Sequence, residues 1–199
     1  MQSVEHKVEK SIVSKPKGYL LFPEDFDHLG SAESIRKALQ SLKEKGLIKS
    51  VTHGIYVRPK ISDFIGEVLP SAEEVAQAIA KRDKIRIVPT GVYALNALGL
   101  STQLPLKLVF LTDGAARTIL VGKRTIKLKK TTPKNLLAKG KISALVIQAL
   151  REIGQDKAMD TELNKIIKLL KEEEPKLLKH DIALAPEWIR KIMKQAIDE

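Results

Sequence analysis

Ser34, Arg36, Lys37, Gln40, Ser41 and Lys43 lie opposite an apolar stripe of Ile35, Ala38, Leu39 and Leu42 in a segment of helical spacing. Arginine pairs with both major-groove acceptors of guanine, glutamine does the same for adenine, and lysine and serine mostly anchor phosphates. A face of these residues is equipped to read duplex DNA. Taken alone it equally describes a solvated cationic helix, the commoner case. Lys49, Thr52, His53 and Arg58 follow, around a Thr52-His53-Gly54 turn, where cations would meet phosphate or the minor groove. His53 reads equally as a turn residue without a partner.

A second set of cations runs through residues 117–141, where nine basic residues meet no acid. Arg117, Lys123, Arg124, Lys127, Lys129 and Lys130 belong to it. This surface can extend a nucleic-acid footprint, dock an acidic partner, or be the wet face of a hairpin whose Ile126 and Leu128 are inward.

Enzyme chemistry has little to stand on. His6, His28, His53 and His180 are scattered, none forms a metal-ligand pair at helical spacing, and no glycine-rich phosphate loop occurs. Ser34 and Lys37 share the spacing found in some acyl enzymes but lack the companion motifs, so chance explains them better. Thr112-Asp113-Gly114 reads as a turn after a strand. No catalytic residue, metal or cofactor is expected.

The elements that position these residues follow from periodicity and punctuation. Val4, Val8, Ile12 and Val13 suggest a first helix, ended at Lys15-Pro16-Lys17-Gly18; Tyr19–Phe22 is a short strand. Pro23-Glu24-Asp25 opens a short second helix that stops at Gly30. Ser31 caps the helix of the basic face and Gly46 ends it. Residues 47–51 and 55–57 form a hairpin around Gly54. Helix, strand, helix, helix, hairpin is the winged helix-turn-helix order, in which the third helix enters the major groove and the hairpin touches the backbone beside it.

Residues 61–70 read as a connector between an N-terminal unit of residues 1–60 and a second unit of residues 71–199. That second unit opens on a capping box, Ser71-Ala72-Glu73-Glu74. It continues with strands at residues 85–88 and 106–111, a short helix at 92–98, a hairpin at 118–121 and 125–130, and three helices at about 142–153, 161–174 and 186–197. Leu163, Ile166, Ile167 and Leu170, then Trp188, Ile189, Ile192 and Met193, suit core packing or a partner face. The expected class is α+β: an N-terminal winged helix-turn-helix followed by a mixed α/β domain with a helical C-terminal tail.

Composition agrees with a folded, cytoplasmic protein that stays where it is made. The chain has 199 residues, 43% hydrophobic and 30% charged, and no cysteine, which excludes disulfides and thiolate chemistry. No apolar run approaches the roughly 20 residues that span a bilayer. A formal net charge of +11 and a pI of about 9.7 favour polyanionic partners, nucleic acid first.

The stretch GYLLFPEDF, the helix SIRKALQSLKEKGLI and the wing VTHGIYVRP resemble the N-terminal winged helix of AbiEi-type antitoxins, and TGVYALNALGLSTQLPLKLVFLTDG resembles the start of the second domain in AbiEi-like proteins. The likeness runs from about residue 1 to about residue 140. It implies a two-domain bacterial regulator of a type IV toxin–antitoxin system. The winged helix would repress its own operon at repeated operator sites, as a monomer or a homodimer on double-stranded DNA. The second domain would oppose a nucleotidyltransferase-like toxin without an obligate complex. By position, Ser34, Arg36, Lys37, Gln40 and Ser41 would face DNA, with Thr52 and His53 at the wing tip. The rival expectation is a protein-binding module in which the winged helix is a scaffold and the basic 117–141 hairpin docks an acidic partner.

Overall fold

The first helix, α1 (Val4–Val13), begins at Ser3, whose hydroxyl accepts the His6 amide at 3.2 Å in the computed structural model, which describes residues 2–103 and 105–197. Val8 and Ile12 form its buried side. Strand β1 (Leu20–Leu21) leads to a turn of 3₁₀ helix at Pro23–Leu29, where the expected short second helix lies. Proline fits its first position, and the Asp25 carboxylate accepts the Phe22 amide at 2.9 Å.

Helix α2 (Ala32–Glu44) follows, capped by Ser31, with Ile35, Ala38, Leu39 and Leu42 buried as their spacing requires. Gly46 takes φ +75° just past its end, the left-handed conformation of a helix C-terminus. Strands β2 (Lys49–Thr52) and β3 (Ile55–Val57) form the wing, turning at Gly54 with φ +69°. The sheet order is β1-β3-β2, with Val57 facing both Leu20 and Lys49 across antiparallel pairs. Val8, Ile12, Leu21, Phe26, Leu39 and Ile48 share one buried cluster, so α1, the 3₁₀ turn, α2 and the sheet close a single core. This is a winged helix-turn-helix.

Within and beside the expected connector of residues 61–70, the chain forms an antiparallel hairpin of β4 (Lys60–Ser62) and β5 (Gly66–Val68). Three-residue strands are too short for an alternating pattern to register in the sequence. Helix α3 (Ala72–Asp83) starts at the expected capping box: the Ser71 hydroxyl accepts the Glu74 amide at 3.1 Å, and Glu74 accepts the Ser71 amide at 2.7 Å.

The chain divides into two units, Met1–Ala78 with Leu120–Lys123, and Ile79–Ile119 with Arg124–Glu199. After α3 come β6 (Ile87–Pro89), α4 (Val92–Ala97), β7 (Lys107–Thr112), β8 (Arg117–Val121) and β9 (Arg124–Lys130), the strands ordered β6-β7-β9-β8. β7 runs parallel to β9 and antiparallel to β6. Leu108, Phe110, Ile126 and Leu128 are buried on one side of this sheet, as the alternation in the hairpin requires. Leu106, expected in the strand, lies before it and is exposed.

Among the described residues, four C-terminal helices form rather than three: α5 (Lys141–Ile153), α6 (Asp160–Leu170), α7 (Pro175–Leu184) and α8 (Glu187–Lys194). The additional one, α7, opens on Pro175, which reads in sequence as a break but also suits a first helical turn. Val146, Leu150, Ile166, Leu170, Ile189 and Met193 are fully buried in the core these helices share with α4. Trp188 and Ile192 pack against it, half-buried. Among the described residues, no helix is long and apolar enough to cross a membrane.

Candidate nucleic-acid interface

Helix α2 is amphipathic, and its buried stripe leaves Glu33, Arg36, Lys37, Gln40, Lys43 and Glu44 exposed. Five of these six are held along the helix by a neighbour one turn away. Arg36 Nε donates to the Ala32 carbonyl at 3.1 Å, Lys37 Nζ pairs with Glu33 at 2.7 Å, and Gln40 Nε2 donates to Glu44 at 2.7 Å. Exposed pairs of this kind are worth a few tenths of a kcal/mol, roughly, so a duplex that offers phosphates and base edges displaces them at little cost. Glu33 and Glu44 also repel phosphate, which disfavours indiscriminate binding.

One of the expected contact residues, Ser41, points elsewhere. The Ser41 hydroxyl donates to Glu5 of α1 at 3.1 Å, and Lys45 forms an ion pair with the same carboxylate. Hydrogen bonds from Lys45 first, and then from Ser41, hold the Glu5 carboxyl below its ordinary value; Glu5 in turn raises Lys45. This brace fixes how α2 is turned on α1, and neither Glu5 nor its partnership with Ser41 is visible in sequence across 36 residues. Ser34 sits in the first turn, half-buried, with its hydroxyl 2.9 Å from that of the cap Ser31.

In the wing, His53 is exposed at the turn and Thr52 is half-buried. Arg58 turns back, with Nη1 donating to the Val13 carbonyl at 3.1 Å, so it caps the C-terminal end of α1. Lys49, at the start of β2, forms an ion pair with Glu67 of β5. Of the expected contact residues, Arg36, Lys37 and Lys43 are therefore the exposed cations of α2, with Gln40 between them and His53 at the wing.

The second basic stretch is less uniform than its sequence. Arg117 is half-buried and ion-paired with Asp83, which also accepts from Arg82 at 2.7 Å. Burial pushes the Asp83 carboxyl up, but the hydrogen bonds from Arg82 and Arg117 outweigh it and leave it lowered. Lys123, Lys129 and Lys130 are exposed, while Arg124 and Lys127 are half-buried.

A buried carboxylate that sequence reading passed over lies in the helical region. Asp181 of α7 accepts from Ser143 Oγ at 2.5 Å and from the Gly140 and Lys139 amides at 2.8 and 2.9 Å, and His180 Nδ1 lies 2.7 Å away. Serine, histidine and aspartate meet here in the wrong order for a nucleophile, because the carboxylate stands between the hydroxyl and the imidazole. Asp181 instead satisfies the open amides at the start of α5, beside Glu173, which accepts the Ile142 and Ser143 amides at 2.7 and 3.1 Å. Burial raises the Asp181 carboxyl, and the hydrogen bonds from Ser143, His180, Lys139 and Gly140 more than reverse this. Among the described residues, no group of histidine and acidic side chains could hold a metal.

Residues 7–178 match the sequence profile of a family described as "Family of unknown function (DUF6088)". No curated protein sequence matches the chain. Among solved structures, the chain is similar to the RV2827C protein from Mycobacterium tuberculosis, with a TM-score of 0.47 and 13% identity over 96% of this chain and 81% of that one.

Proposed function

The chain belongs to DUF6088, a family of unknown function, and we propose from its own residues that it is a sequence-specific binder of double-stranded DNA; repression of its own operon is what the resemblance to AbiEi-type antitoxins adds. The supporting observation is one of placement. In a winged helix-turn-helix, the helix that enters the major groove is the one that here buries Ile35, Ala38, Leu39 and Leu42 and turns Arg36, Lys37, Gln40 and Lys43 outward. Arg36 and Gln40 then read base edges, Lys37 and Lys43 bind phosphate, and the wing at Thr52 and His53 lies along the neighbouring backbone. Ser41, Arg58 and Lys49 hold the scaffold in place.

The resemblance to AbiEi-type antitoxins extends this proposal to a cytoplasmic type IV antitoxin, acting against a nucleotidyltransferase-like toxin without a stable complex and without catalysis of its own. Nuclease footprinting of the region upstream of the protein's own gene tests the DNA reading. Protection of one or two discrete sites is expected; uniform protection, or none, would remove it.

A further inference from the structure

Helix α2 carries two acids on the face that the proposed function turns to DNA. At about 100° of rotation per residue, Glu33, Gln40 and Glu44 stand directly opposite the buried stripe of Ile35, Ala38, Leu39 and Leu42. Lys37 stands beside them, and Arg36 and Lys43 flank the line on one side. Glu33 is the second residue of the helix, in the turn from which a recognition helix contacts base edges; Glu44 is the last, about three turns on.

The chemistry of Glu33 suits one base. An ionised carboxylate only accepts hydrogen bonds. In the major groove, guanine and thymine offer acceptors without a donor, and adenine sets its N7 acceptor beside the N6 amino group, where it opposes a carboxylate. Cytosine presents the N4 amino donor alone. A carboxylate near duplex phosphate also needs compensation, and Lys37 supplies it: Nζ lies 2.7 Å from Glu33 Oε1, one turn along the same face. The Glu33 and Lys37 side chains are 73% and 77% exposed, so packing fixes neither, and both are free to turn to a base edge and a phosphate.

We propose that Glu33 is a specificity-determining residue of this surface, whose carboxylate accepts the N4 amino group of a cytosine in the major groove. The assignment rests on the DNA-binding reading and adds a base edge that the cations and Gln40 do not read. A first-turn acid also stabilises the positive end of a helix. That role alone changes the melting temperature and no base preference, so the two are separable.

The test is selection of duplexes from a randomised pool by the full chain, followed by sequencing, with Glu33→Gln and Glu33→Ala run beside the native protein. The native chain is expected to enrich a motif in which one position favours cytosine by about tenfold. Glu33→Gln should move the preference at that position to adenine, whose N6 and N7 match an amide bidentately, and Glu33→Ala should leave it without preference while the other positions are kept. Glu44→Gln, which removes the same charge at the far end of α2, is expected to leave that position unchanged. A native motif retained at every position by both Glu33 variants, even with tighter binding to all duplexes alike, would overturn the assignment and leave the DNA-binding reading standing. A native chain that enriches no motif would overturn both.

Discussion

The Ser41 hydroxyl donates a 3.1 Å hydrogen bond to Glu5, and Lys45 ion-pairs with the same oxygen from one turn further along α2. Two rigid helices are thereby locked in rotation, and the side of α2 that turns to solvent is set by α1. The lowered Glu5 carboxyl contributes stability above its unfolded value, and this is lost as pH falls through its folded value. The raised Lys45 ammonium contributes below its unfolded value, and this is lost as pH rises through its folded value. Glu5→Gln is therefore expected to melt below the native chain at neutral pH and to converge with it in acid. Melting curves across the acidic range check this; a gap that persists at low pH would assign the effect to packing instead.

Arg36 and Lys37 are adjacent and exposed, yet their losses should look different. Arg36→Ala is expected to cost about 1–3 kcal/mol at one base position of the site, the worth of a bidentate contact to guanine. Lys37→Ala should weaken all duplexes alike and reduce the magnitude of the slope of log affinity against log salt by about 1, as for one lost phosphate contact. Titrations of both variants against single-base variants of the footprinted site, at several salt concentrations, separate the two roles.

Asp181 is fully buried at the start of α5. In Asp181→Asn, an amide NH₂ replaces one acceptor oxygen before the Lys139 and Gly140 amides and the Ser143 hydroxyl, and leaving buried donors unmatched costs about 1–3 kcal/mol each. The native carboxyl is held low, so its contribution is present above its unfolded value and lost as pH falls. Urea unfolding should therefore show the variant clearly less stable at neutral pH and closer to native in acid.

Much of the winged helix was legible in the sequence because its signals are local. The stripe at Ile35, Ala38, Leu39 and Leu42, the cap at Ser31, the stop at Gly46 and the turn at Gly54 each act over a few residues, and the structure places them as expected. What escaped depends on distant partners or on very short elements. Ser41 belongs by spacing to the border of the polar face, and only Glu5 on another helix draws it inward. Arg58 reads as a wing cation until the Val13 carbonyl is found beside it. The β4–β5 hairpin gives no periodic signal, and α7 hid behind Pro175 and the charged run before it. In the basic 117–141 stretch, Asp83 claims Arg117 from the end of another helix. Charge counted along the chain therefore overstates the charge available to a partner.

The most direct measurement is fluorescence anisotropy of the duplex from upstream of the protein's own gene, against a shuffled duplex of equal composition, at two salt concentrations. A preference of about a thousand-fold or more for the native duplex is expected of a specific repressor. Equal and steeply salt-sensitive binding to both duplexes would contradict sequence recognition by α2 and leave only a general attraction of a basic protein for nucleic acid.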